Sequence, residues 1–137
     1  MTKHVVGLAE DLKPGERLTV EVRKRPIVIF NLDGEFFALL NRCPHQSAQL
    51  SAGIISGIWE ADAPGDVHCS RFGEFLRCPW HGWEFDIRTG QSWCDPEKFA
   101  IKQYPVEVEH GRELMKGPYK AETVPVSVED DYLVVEL

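Results

Sequence analysis

Apolar residues in this chain fall in short runs that alternate with polar ones or are rich in β-branched side chains. Nowhere do they hold a 3.6-residue period over three turns. Arg17–Val22 (RLTVEV) and Pro26–Phe30 (PIVIF) predict two strands. Leu32-Asp33-Gly34 is a hairpin turn into a third, Glu35–Leu40, and Lys13-Pro14-Gly15 is a further turn. Glu74–Arg77 predicts a short strand, and Glu84–Asp86 leads into a turn at Arg88–Gly90. Tyr104–Val108 reads as a strand, and Thr123–Val128 and Tyr132–Leu137 as a closing hairpin around Glu129–Asp131. These elements predict an all-β fold of short antiparallel strands.

Composition narrows the class. At 137 residues, with 43% apolar and 27% charged positions, the chain suits one globular domain with a real core. No run of about 18 apolar residues marks a membrane anchor. Glu10 and Asp11 interrupt the start before a signal-peptide core could form, so a cytoplasmic protein is expected. The net charge of −7 argues against nucleic acid as a partner. It suits either an ordinary acidic surface or one that steers docking to a basic patch on a partner protein.

The chemistry lies in two loops, Cys43-Pro44-His45 and Cys78-Pro79-Trp80-His81. Each offers one thiolate and one imidazole beside a proline. A structural zinc site more often draws on paired C-x2-4-C and H-x3-5-H spacings, though zinc stays open as the alternative. One Cys and one His per loop suit an asymmetric two-iron cluster, with two thiolates on one iron and two imidazoles on the other. Thiolate suits iron–sulfur chemistry, and replacing two thiolates by neutral imidazoles makes reduction easier. His68-Cys69 is a weaker metal candidate, since two adjacent residues do not easily hold an ion alone. Cys69 and Cys94 are expected to be free thiols in a reducing compartment. His4 and His110 read as surface residues.

Arg42–Leu50 (RCPHQSAQL) and Leu76–Asp86 (LRCPWHGWEFD) resemble the cluster loops of the Rieske iron–sulfur family, most closely the oxygenase-type ferredoxins. The resemblance implies a β-sandwich carrying a small cluster-binding subdomain. It implies one [2Fe–2S] cluster held by Cys43, His45, Cys78 and His81, with the histidine edges as the electron exit. Ala48 and Trp80 stand where respiratory and photosynthetic members place a cysteine pair, so no disulfide can join the loops here. Gly82-Trp83 replaces a serine that donates to the cluster in respiratory members. The implied potential is near the bottom of the Rieske span of roughly −150 to +300 mV. Ser47 and Gln49 stand where glycine and proline are common, and Asp95-Pro96 falls where the family has a covering proline loop.

Between His45 and Cys78 lie 32 residues, about twice what oxygenase-type domains carry. Insertions are therefore expected at about 57–73, with Pro64-Gly65 marking a long hairpin or loop, and at 111–122. The functional expectation is an electron-transfer ferredoxin, passing single electrons from a flavoprotein reductase to a terminal oxygenase or other redox enzyme. The alternative is an accessory or regulatory Rieske subunit of a larger oxidoreductase. A catalytic oxygenase subunit needs a second iron on two histidines and a carboxylate. Only His4, His68 and His110 remain for one, in no suitable pattern.

Overall fold

The computed structural model of the chain describes residues 3–42, 49–78, 84–92, 100–114 and 129–137. In chain order the strands are β1 (Lys3–Leu8), β2 (Arg17–Val22), β3 (Arg25–Leu32), β4 (Glu35–Leu40), β5 (Ile54–Ala63), β6 (Asp66–Arg77) and β7 (Glu84–Asp86). They continue as β8 (Gln103–Tyr104), β9 (Val106–His110) and β10 (Asp131–Glu136); the described residues also include one α-helical turn, α1 (Gly111–Leu114), and two 3-10 turns, at Ala9–Asp11 and Leu50–Ala52. All strand pairings are antiparallel, so the fold is all-β as expected. Among the described residues no helix is long and apolar enough to cross a membrane. The chain forms two compact units, residues 1–40 with 103–137, and residues 41–102.

The first unit is a sandwich of two sheets, β1-β10-β9 and β2-β3-β4-β8. Its shared core draws Ile27, Ile29 and Ala38 from one sheet and Leu133 and Val135 from the other. The near-continuous apolar run of β3 reflects burial on both faces, from Ile27 through Leu32. Asp33 and Gly34 both take positive φ, 54° and 94°, as a two-residue type I′ hairpin requires. Buried Asn31 fastens this end of β3. Its Nδ2 donates to the Leu12 carbonyl at 2.8 Å, and its Oδ1 accepts from the Gly34 amide at 2.8 Å. The Lys13-Pro14-Gly15 turn closes with the Glu16 amide on the Lys13 carbonyl at 2.9 Å.

Several expectations need correction. The strand read over Tyr104–Val108 is two strands. β8 pairs with β4, Pro105 has no N–H to continue a ladder, and β9 pairs with β10 in the other sheet. Thr123–Val128, the expected first half of a closing hairpin, lies outside the described residues. β10 itself has both edges taken, by β1 and β9. His4, read as a surface residue, is 4% exposed. It sits opposite the core residue Val135, and directly opposed residues share a face. His110 is exposed, as expected.

In the second unit β5, β6 and β7 form one sheet. Glu74–Arg77, read as a short strand, is the end of a twelve-residue one. The β5–β6 hairpin has two parts. Ile54–Ser56 pairs with Phe75–Arg77, which also carries β7 on its other edge. Beyond a register shift between Ser56 and Ile58, with Gly73 at φ 88°, an arm of Ile58–Ala63 and Asp66–Ser70 turns at Pro64-Gly65. The stretch read as an insertion at 57–73 is thus this arm. Of the second stretch, 111–122, residues 111–114 form α1 and the rest lie outside the described residues.

Candidate metal centre

Of the four expected ligands, Cys78 is described. It follows β6 directly and is a free thiol, 2% exposed. Cys43, His45 and His81 lie outside the described residues, as do Ala48, Trp80, Gly82-Trp83, Cys94 and Asp95-Pro96. What is described is the stem of each loop that carries them, and each stem is closed by a specific contact.

The first loop leaves the described chain at Arg42 and returns at Gln49. Buried Asn41 and half-buried Ser51 clasp across its base. The Asn41 Nδ2 donates to Ser51 Oγ at 3.0 Å, and the Ser51 amide donates to Asn41 Oδ1 at 2.7 Å. A 3-10 turn over Leu50–Ala52 then ends at Gly53. The second loop is bounded by β6 and β7, whose facing end residues Arg77 and Glu84 pair in the ladder and bring NH2 and Oε1 to 3.5 Å. This ion pair is partly exposed and contributes little energy by itself, but the ladder fixes the width of the stem. On either side of residues 93–99, which lie outside the described residues, Gln91 and Ala100 form an isolated bridge, and Phe85 bridges Ser92.

The first two stems meet at Gly53. A Cβ there would lie 2.2 Å from the Arg77 carbonyl oxygen and 3.0 Å from that of Leu50, so only glycine lets the backbones approach so closely. Arg77 immediately precedes Cys78, and Ile54 pairs with Arg77. The end of the first ligand loop therefore packs on the start of the second, although 32 residues separate His45 from Cys78. Residues 84–92 continue the support. Asp86 Oδ1 accepts from the Arg88 amide at 2.9 Å, the Gly90 amide donates to the Asp86 carbonyl, and Arg88 Nε donates to Glu74 Oε1 at 2.6 Å.

Sequence reasoning passed over Asn41, Ser51 and Gly53. An Asn and a Ser flanking a ligand loop are a visible signal for a clasp. Gly53 is not legible alone, because its constraint comes from a carbonyl 24 positions further on.

The donor chemistry fits an iron–sulfur cluster. A buried thiol stands directly after a strand end, and the motifs supply a second thiol and two imidazoles. Comparisons with known proteins agree. A model of the Rieske [2Fe-2S] domain matches residues 2–105. The ferredoxin component of the naphthalene 1,2-dioxygenase/salicylate 5-hydroxylase systems of Ralstonia sp. is 30% identical over 118 residues, 85% of this chain and 98% of that protein. The 3-phenylpropionate/cinnamic acid dioxygenase ferredoxin subunit of Escherichia coli K12 is 34% identical over 101 residues, 74% of this chain and 80% of that one. Among solved structures, the ferredoxin of carbazole 1,9a-dioxygenase from Nocardioides aromaticivorans IC177 superposes with a TM-score of 0.62 at 25% identity, over 80% of this chain and 91% of that one. With a [2Fe–2S] cluster as its cofactor, this chain belongs to the Rieske [2Fe–2S] family.

Proposed function

We propose that this protein is the ferredoxin of a multicomponent oxygenase system, carrying single electrons from a flavoprotein reductase to a terminal oxygenase. The observation that carries this reading is the match to a ferredoxin component over 98% of that relative's length. The cluster supplies reversible one-electron chemistry. The chain's own residues hold and present it. Cys43 and Cys78 would provide the thiolates, and His45 and His81 the imidazoles whose outer edges face a partner. The Asn41–Ser51 clasp and the Gly53–Arg77 approach hold two of the stems in register, so the ligand set is pre-positioned when the cluster is assembled. With Ala48 and Trp80 at the cysteine positions of respiratory members, the loops depend on these stems and on packing. The low potential implied by Gly82-Trp83 suits delivery to an oxygenase. The β5–β6 arm and the segment at 111–122 are additions to a minimal domain in this reading, and the protein works in the cytoplasm.

Reconstitution tests the proposal. With a flavoprotein reductase, a terminal oxygenase and an aromatic substrate, product should form only when this protein is added. Product from this protein and a chemical reductant alone, with no oxygenase, would contradict a carrier role.

A further inference from the structure

Strand β3 has a two-residue hairpin turn at each end, and the two are built from opposite kinds of residue. At one end Asp33-Gly34 takes the left-handed conformation that a type I′ turn demands at little cost. At the other end the same conformation is imposed on Arg23 (φ 50°) and Lys24 (φ 65°), two long side chains with a Cβ. Left-handed backbone disfavours both, and Asn-Gly would satisfy the turn better. Long charged side chains placed where the backbone disfavours them point to a role for the side chains.

Their chemistry and position suggest which role. Arg23, Lys24 and Arg25 are consecutive and exposed, in a chain whose net charge is −7. Glu21 on β2 is the acidic residue nearest to the three in sequence, and the next are Glu16 and Asp33. Ile27 lies opposite Leu40, and Arg25 opposite Val22, so the turn projects from the end of the sheet where β4 finishes. Leu39 lies opposite Gln103, so β8 also meets β4 near that end of the sheet. An acidic protein is repelled by lipid surfaces and nucleic acids as a whole. A compact basic turn on it complements a discrete acidic patch on another protein, and such pairing sets orientation and association rate.

We propose that the Arg23-Lys24-Arg25 turn is a docking contact for the acidic face of a protein redox partner. The proposal rests on the carrier reading above, and the two can fail separately. The test is stopped-flow electron transfer into the cluster from a flavoprotein reductase and out of it to a terminal oxygenase, across ionic strength, in wild type and in R23N/K24G. The variant should lose roughly three- to tenfold in second-order rate at low ionic strength in at least one half-reaction and converge on wild type at high salt. It should keep the cluster spectrum, and its thermal midpoint should rise by roughly 2–6 °C as the turn is relieved. Arg25→Gln, which leaves the turn backbone alone, should give a smaller fall of the same sign. Lys13→Gln removes a charge beyond the opposite end of β2 and should change the rate by less than about 1.5-fold. Equal rates for R23N/K24G and wild type at low ionic strength in both half-reactions would overturn the proposal while leaving the carrier intact. Binding of wild type, but not R23N/K24G, to phosphatidylglycerol vesicles would reassign the turn to a lipid surface and overturn it too. Failure of wild type itself to pass electrons would instead remove the carrier reading.

Discussion

The two units of this molecule are stabilised and specialised in different ways. In the unit of residues 1–40 and 103–137, two sheets bury a shared apolar core and tight turns join β2 to β3 and β3 to β4. In the unit of residues 41–102, the described part is a small sheet and the chain ends that flank residues 43–48, 79–83 and 93–99. There the informative contacts are between stems: Asn41 with Ser51, Arg77 with Glu84, Gln91 with Ala100. The first unit is specified by hydrophobic burial, which tolerates apolar exchange. The second is specified by a few close approaches, which do not. Chemistry sits on the loops, and precision comes from what holds their ends.

Substitutions can break this contrast from either side. The largest loss of global stability is expected from Ile29→Ala, a fully buried residue of the sandwich core. About 2–5 kcal/mol should disappear in denaturant titration, while the folded fraction keeps its full iron content. Gly53→Ala should do the reverse. Its Cβ would meet the Arg77 carbonyl at 2.2 Å, and relief requires the stems to part. A cost of about 1–3 kcal/mol is expected. The greater loss should be in cluster content, measured as iron and labile sulfide, with far-ultraviolet circular dichroism close to wild type. An Ile29→Ala protein that lost its cluster while still folded, or a Gly53→Ala protein with full iron, would erase the distinction.

Asn41→Ala sharpens it. Removal of both part-buried side-chain bonds opens the base of the loop, at a cost of about 0.5–1.5 kcal/mol for each bond. Iron should be lost to a chelator faster than from wild type, and Asn41→Asp, which restores an acceptor for the Ser51 amide, should recover part of the difference.

How far each unit was legible follows the same division. The sandwich strands β2, β3 and β4 announce themselves through β-branched runs, and the turn at Asp33-Gly34 through its residue types. β1 escaped notice because His4 and a register shift between Val5 and Gly7 disturb its pattern. The buried position of His4 follows from its facing Val135, a long-range pairing that no local pattern displays. Pro105 was visible, but the change of sheet it marks depends on β4 and β10 lying in different sheets. In the second unit the ligand motifs were plain, because their chemistry admits few substitutes. The stems were not, since Gly53 and Arg77 meet only after folding.

The smallest expected effect concerns the sandwich surface. Lys3 Nζ donates to Glu109 at 2.8 Å, with Glu107 at 4.0 Å. The hydrogen bond and charge of Glu109 raise the Lys3 pKa above its ordinary 10.5. A raised pKa contributes stability that is complete below the unfolded value of 10.5 and is lost as pH rises through the higher folded value. Lys3→Met should therefore shift the thermal midpoint by about one degree or less at neutral pH, and the difference should vanish at strongly alkaline pH.

The central claim is that Cys43, His45, Cys78 and His81 hold the [2Fe–2S] cluster on pre-positioned stems. It is tested most directly by iron and acid-labile sulfide analysis, with electron paramagnetic resonance of the reduced protein, on wild type, Cys43→Ser, Cys78→Ser, Cys69→Ser and Cys94→Ser. Wild type, Cys69→Ser and Cys94→Ser should carry iron and sulfide in equal amounts with a Rieske-type signal, while Cys43→Ser and Cys78→Ser should carry neither. Stoichiometric zinc without sulfide in anaerobically prepared wild type, or a full cluster in Cys78→Ser, would contradict the assignment.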